Sequence, residues 1–378
     1  MPFMMRIVAS VALASCIAAG PACAVQRYVA NSLGTLGGDY VQGNAINDRG
    51  EVAGSASRSD YKVRAFLHDG STMRDLGTLD GDSSFGYAIN ALGHVTGASG
   101  NGLSTVRAFL YASGVMTGLD IFPSRETQAY AINASGQIAG GVVALPGPYH
   151  AFIYSGGLAV DLGTLGGSDS AAYGLNSFGD VVGAADVQLP GQTAKHAFIF
   201  TGGKMRDLGT LGGPWSYAFA VNDIGWVTGQ SVTADGYERA FLHTGSSMVD
   251  LGDFGGRSSI GLAIDVKGQV VGRAAVTTLT PDENPWRAFV YSDGRMRDIN
   301  GLVDSGLDGA VLYVANGINE RGQIVANGCK GLTCRAYRLD PLADPLPPPI
   351  PGVPTLSGFA LLAMAALVVA GAHVRRPR

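Results

Sequence analysis

The side chains best suited to chemistry in this 378-residue sequence are six histidines and four cysteines. Most of the histidines fall at corresponding points of an internal repeat. His150 and His196 stand where Arg64, Arg107 and Arg239 stand in other copies, and His68 and His243 stand where Tyr111, Tyr154 and Tyr291 do. His94 follows a turn glycine, and His373 lies in the tail. Equivalent positions of successive repeats are expected to spread around a ring, so these residues read as structural and not as ligands of one metal. Cys16 and Cys23 belong to an N-terminal segment expected to be removed, which leaves Cys329 and Cys334. In an exported chain that Cys-x4-Cys pair reads as a disulfide between the second and third strands of the last repeat. Two thiols are too few for a metal site, and a redox pair would be Cys-x-x-Cys. No metal or other cofactor is expected.

The remaining candidates are weaker. An Asp in the recurring Asp-Leu-Gly-Thr-Leu-Gly-Gly element returns too regularly to be one catalytic acid, and suits a turn or a hydrogen bond between sheets. Calcium loops, phosphate loops, nucleophile elbows and His-Glu-x-x-His motifs are missing from the sequence. Departures from the repeat are Asp120–Glu126, Trp215, and Thr277–Trp286 with Asp282 and Glu283. Trp215 and Trp286 are placed on loops, where an indole either packs between sheets or faces a sugar ring or a protein partner.

Composition narrows what must position these residues. Charged residues make up 15%, hydrophobic ones 46%, and there are 56 glycines. Such a chain buries a core and is poorly suited to long helices. Four of the 26 basic residues (Arg6, Arg375, Arg376, Arg378) lie in the ends, so residues 25–350 carry 22 against 30 acidic ones. An acidic body without a basic run argues against a nucleic-acid partner.

Both ends read as processing signals. Residues 1–24 combine Arg6, the apolar run Ile7 to Ala19 and Ala22-Cys23-Ala24, the pattern of a secretory signal peptide cut by signal peptidase after Ala24. Residues 342–355 form a proline-rich linker. Residues 356–378 then give an uncharged run, Leu356 to Ala372, and a basic end. As a helix that run is about 26 Å long, enough to enter a membrane through residues 356–374 with the arginines cytoplasmic. Val353-Pro354-Thr355-Leu356-Ser357 with the apolar run and basic end resembles the IPTL-type C-terminal sorting signals, relatives of PEP-CTERM signals in Gram-negative bacteria. Val353 replaces the usual isoleucine, and Gly358-Phe359 an acidic-aromatic pair. The resemblance implies export, membrane anchoring, an exosortase-like processing enzyme, and release or surface attachment.

Residues 25–341 hold seven copies of one repeat, most 43 residues apart, with the fourth stretched to 46 and the sixth to 48. Each has Ala-Ile-Asn-x-x-Gly-x-Val (Asn47, Asn90, Asn133, Asn176, Asn222, Asp265, Asn319), then Arg/His-Ala-aromatic, then Asp-Leu-Gly-Thr-Leu. Asn-x-x-Gly suits a hairpin turn, and the β-branched and apolar runs suit short strands. Four strands per copy predict an all-β fold, a seven-bladed β-propeller. The fourth-strand motif also precedes the first Ala-Ile-Asn, at Tyr28–Leu36, and is missing after Arg335. The offset predicts that the N-terminal strand closes the last blade and removes a free edge. The triads His150-Ala151-Phe152 and His196-Ala197-Phe198, with Asp-Leu-Gly-Thr-Leu-Gly-Gly, resemble the HAF-repeat family of extracellular repeat proteins over roughly residues 28–340. That resemblance implies an exported repeat protein and no catalytic site.

The reading is therefore a non-enzymatic binding or scaffold module for extracellular glycan or protein, anchored in the envelope or released from it. A propeller hydrolase or lyase acting on extracellular polysaccharide is the alternative, and a purely structural envelope component a third. Polar departures spread around the ring favour binding, whereas two carboxylates gathered near its axis would favour the enzyme.

Overall fold

The Asn-x-x-Gly elements fold as the sequence chemistry requires. In the first copy, Asn47 Oδ1 accepts the backbone N–H groups of Arg49 and Glu51, both at 3.0 Å. Gly50, at φ +80°, donates its own N–H to the Asn47 carbonyl. The positive φ is why glycine stands there. The computed structural model describes residues 25–100, 106–119, 121, 126–143, 148–189, 192–277 and 284–343. Val25–Leu342 form one compact unit. The signal-peptide and cleavage residues up to Ala24, most of the linker, the sorting motif Val353–Ser357 and the expected membrane helix lie outside the described residues.

Each turn joins the first two strands of an antiparallel four-strand unit. The first unit runs Gly37–Ile46, Val52–Arg58, Val63–His68 and Met73–Asp75. The same order returns from Ser83 to Gly118 and from Glu126 to Asp161. Three further copies, from Gly166 to Asp298, are joined by the parallel bridges Lys195↔Trp215 and Glu238↔Ser258 into one twelve-stranded sheet. The last sheet mixes both ends of the chain. Tyr28–Ser32 pairs antiparallel with Thr333–Pro341, from Tyr28↔Pro341 to Ser32↔Tyr337.

That last sheet has a strand the sequence reading lacks. Val303–Ser305 lies parallel to Tyr28–Ser32, on its outer side. In other copies the Asp-Leu-Gly glycine takes positive φ, as at Gly163 (+73°) and Gly209 (+72°). Here the sequence is Asp298-Ile299-Asn300. Without the glycine, the chain enters a 3-10 helix, Ile299–Leu302, capped by Asp298, whose side chain accepts the Asn300 N–H at 2.8 Å.

The core lies between neighbouring units. The triad aromatics Phe66, Phe109, Phe152, Phe198, Phe241 and Phe289 are fully buried. Each covers a glycine of the adjacent second strand. At Gly140 a Cβ would stand 1.9 Å from the Gln128 carbonyl oxygen and 3.0 Å from the Phe152 ring. Successive units are also pinned by a buried hydroxyl. Ser170 Oγ accepts the Ala151 N–H at 3.0 Å and donates to the Gly163 carbonyl at 2.6 Å. Ser84, Ser216 and Ser259 repeat the link.

Candidate binding site

Every Ala-Ile-Asn strand carries a β-bulge three residues before its Asn or Asp, seen as a register shift around Asn44, Tyr87, Tyr130, Tyr173, Phe219, Leu262 and Asn316. A bulged residue leaves the ladder and its side chain is re-aimed. In four consecutive copies that residue is aromatic. Tyr87 stacks on Tyr130 at 5.4 Å between ring centroids, Tyr130 meets Tyr173 at 5.5 Å, and Tyr173 meets Phe219 at 5.6 Å. Tyr217 and Trp215 extend the arc, at 6.3 Å and 5.4 Å. The flanking Asn44 and Asn316 instead donate to backbone carbonyls of Gly86 and Gly43 at 2.7 and 2.8 Å.

The arc is half-buried, and two cavities open on it. One, about 290 Å³, lies between Tyr40, Gln42, Asn44, Ser55 and the arc. The other, about 410 Å³, lies among Tyr130, Tyr149, Tyr173 and Tyr217, with Gln128, Asp169 and Lys195 also in its lining. Tyr130 and Tyr173 line both. Burial pushes the hydroxyls of Tyr87, Tyr149 and Tyr173 up to about 12, and that of Tyr130 higher still. They remain protonated donors; Tyr130 donates to Gln128 Oε1. Lys195 Nζ is held by Asp186 at 2.6 Å, and Asp169 Oδ1 accepts the Tyr149 N–H at 2.7 Å.

The opposite end is built from the turn asparagines. Asn47 Nδ2 donates to the Asn90 carbonyl, Asn90 to Asn133, Asn133 to Asn176, Asn176 to Asn222, and Asn222 to Asp265, at 2.8–3.2 Å. Asn319 donates back to Asn47 at 2.8 Å. An axial cavity of about 330 Å³ opens here, lined in part by Asp48, Asp223 and Glu320. Asp223 Oδ1 accepts the Ser177 N–H at 3.0 Å, Asp48 Oδ1 the Glu320 N–H at 2.9 Å, and Glu320 the Val266 N–H at 3.2 Å. Burial raises the Glu320 carboxyl, opposed by the Val266 N–H. Both ends of the compact unit also meet on this side, where Leu342 donates its N–H to the Arg27 carbonyl at 2.8 Å.

The structure therefore corrects one sequence expectation. Trp215 and Trp286 are not on loops but in strands, Gly212–Val221 and Trp286–Ser292. Trp215 joins the aromatic arc, whereas Trp286 lies under the Arg273 guanidinium at 4.3 Å. Of the other departures, residues 120, 122–125 and 278–283 lie outside the described residues. Tyr87, Tyr130 and Tyr173 gather at one end, and Asp48, Asp223 and Glu320 line the cavity at the other, because equivalent positions on or next to the innermost strands converge on the axis. Sequence reasoning missed the arc; its signal is an aromatic residue three places before the Asn in four copies running.

Other candidates have local partners. Cys329 and Cys334 are cross-strand neighbours, bonded through their sulfurs with Cα atoms 4.0 Å apart. His150 Nδ1 meets Asp161 at 2.7 Å, and His196 Nδ1 meets Asp207 at 2.8 Å. The same aspartates accept the Gly163 and Gly209 N–H groups, making the repeated Asp a turn residue. His68 and His243 accept the N–H groups of Gly70 and Gly245, and burial lowers both imidazoles. Among the described residues no group of three or more His, Cys, Asp or Glu is placed to hold a metal ion, and no helix is long and apolar enough to cross a membrane.

No protein-family profile matches the sequence, and no curated protein is similar to it. Solved structures are similar in shape. The β-propeller domain of the Trilobed protease from Pyrococcus furiosus, described as having an open velcro topology, superposes with TM-score 0.53 at 11% identity, over 82% of this chain and 99% of that one. The chain has the fold of a β-propeller. A puromycin-hydrolyzing peptidase of Mycobacterium tuberculosis superposes with TM-score 0.55 at 13% identity, over 88% of this chain. This chain spans only 57% of that peptidase's length. At such identities the likeness concerns the propeller alone.

Proposed function

We propose that this protein is an exported propeller of seven blades, its last blade closed by the N-terminal strand, that acts as a binding or scaffold module for extracellular glycan or protein. The observation that carries the reading is the arc Tyr87–Tyr130–Tyr173–Phe219, half-exposed beside two cavities. Aromatic residues with polar handles are the usual anchors of binding surfaces. The pairing of Tyr28–Ser32 with Thr333–Pro341 and the asparagine cycle that returns from Asn319 to Asn47 support the closed seven-blade reading.

Export and anchoring rest on the signal-peptide pattern and on the resemblance to HAF-repeat proteins and IPTL-type sorting signals. They bring signal peptidase and an exosortase-like enzyme as processing partners.

The test is site-specific photo-crosslinking in cells making the full chain. A photoreactive residue at Tyr40, on the aromatic end, is expected to trap extracellular material, and one at Phe178, on the asparagine end, is not. Adducts from Phe178 alone overturn the reading. So does recovery of the chain inside the cell with residues 1–24 intact.

A second reading, a propeller hydrolase or lyase acting on extracellular polysaccharide, draws on Asp48, Asp223 and Glu320 around the axial cavity. It ranks lower because each of those carboxylates already accepts a backbone N–H from a neighbouring blade. Release of reducing ends from the host's exopolysaccharide, abolished by Glu320→Gln, would reverse the order.

A further inference from the structure

Building on the reading that the aromatic end is where the protein binds, we propose that its ligand is a neutral oligosaccharide, lying across the two adjoining cavities with sugar rings against Tyr130 and Tyr173. The first argument is charge. The 290 Å³ cavity is lined by aromatic, amide and hydroxyl side chains, with no Lys, Arg, His, Asp or Glu among the described residues. In the 410 Å³ cavity the cation, Lys195, is engaged by Asp186, and the acid, Asp169, by a backbone N–H. A uronate, phosphate or sulfated chain would leave water with no unpaired cation to meet it among the described residues that line either cavity, which is costly.

The second argument is the pairing of ring faces with two-way polar groups. A pyranose presents a C–H face and a rim of hydroxyls, each of which both donates and accepts. Tyrosine hydroxyls and the amides of Gln42, Asn44 and Gln128 do the same, whereas lysine or a carboxylate does only one. Tyr130 lines both cavities, and its hydroxyl donates to Gln128, which lines the larger one. The cavities are of the size of small-molecule sites.

The third argument bears on peptides. An extended peptide gains affinity by adding a strand to an open edge. The inner strands interrupt their ladders with a bulge at Tyr87, Tyr130, Tyr173 and Phe219, where such a peptide would have to pair. A sugar chain needs no ladder.

The experiment is calorimetric titration of the full chain, in a detergent without a sugar headgroup, with cellohexaose, xylohexaose and maltohexaose. Hexagalacturonate and a decaproline peptide are run alongside. At least one neutral sugar is expected to bind, with affinity unchanged between about 50 mM and about 500 mM salt. Tyr173→Ala should weaken it about tenfold or more, and Tyr173→Phe less than the alanine change. Circular dichroism of each variant shows whether it has folded. Should hexagalacturonate or decaproline be the ligand that Tyr173→Ala weakens, the neutral-sugar class is wrong and the aromatic end still stands as the site. If neutral sugars bind but ignore Tyr130→Ala and Tyr173→Ala, the site reading itself falls. No heat from any of the three neutral sugars overturns the proposal.

Discussion

Asn222 donates its side-chain amide to the backbone carbonyl of Asp265 at 2.8 Å, and the Asp265 side chain has no N–H to pass to Asn319 in turn. Its Oδ1 accepts the Lys267 and Gln269 N–H groups at 3.0 and 2.8 Å, while its Oδ2 is buried without a partner. Burial raises this carboxyl, opposed by those backbone donors and Lys267. Glu320 and Tyr28 also feel its charge. A folded-state value above the unfolded one means stability that is present below the ordinary carboxylate range and is lost as pH rises through the raised value. Asp265→Asn restores the missing donor. Thermal unfolding should show the variant more stable by about 1–3 kcal/mol near neutral pH. The difference should shrink as the pH is lowered toward about 4. An unchanged difference across that range would dismiss ionisation of Asp265 as its source.

Gly140 allows the closest approach in its sheet. Gly140→Ala puts a methyl 1.9 Å from the Gln128 carbonyl and against Phe152, so the strands must part. Urea unfolding should report a loss of about 1–3 kcal/mol or more. Gly301→Ala, where a Cβ meets nothing within 4 Å, is the matched control and should stay within about 0.5 kcal/mol.

Ser170 is 1% exposed and links two units through one oxygen. Ser170→Ala leaves the Ala151 N–H and the Gly163 carbonyl unsatisfied, with an expected cost of about 1–3 kcal/mol in the same assay. Ser170→Thr keeps the hydroxyl, as Thr127 does at the equivalent place in the preceding unit. It should recover part of the loss; equal losses for both variants would argue that shape, not hydrogen bonding, matters here.

The Cys329–Cys334 bridge closes a hairpin that the flanking Lys330↔Thr333 pair already closes. Little chain entropy is removed by so short a loop, so Cys329→Ser with Cys334→Ser should cost less than about 2 kcal/mol. Differential scanning calorimetry with and without reductant gives the same comparison in the native chain.

The strands and turns were legible because their causes are local: Asn caps its own turn, glycine accepts positive φ, and Phe152 needs a glycine to lie on. The aromatic end was not. Tyr87, Tyr130 and Tyr173 read as ordinary alternating strand residues, and only the bulge takes them off the ladder and turns them toward one another. The spread expected of equivalent histidines suits the third strands, which lie further out; on the innermost strands the same equivalence brings side chains together. The helix Ile299–Leu302 and the strand after it depend on one missing glycine and a gap left beside Tyr28, a relation between residues far apart in sequence.

The bulge also separates two kinds of selection. Residues that pair or pack, such as Gly140 and Phe152, are fixed by the scaffold, while Asn44, Tyr87, Leu262 and their counterparts stand outside the register. Asn44 and Asn316 still tie neighbouring copies together through backbone carbonyls. In the other five copies the side chain at that position owes the ladder nothing, so exchanging it changes what faces the axis while the sheets beneath keep their pairing.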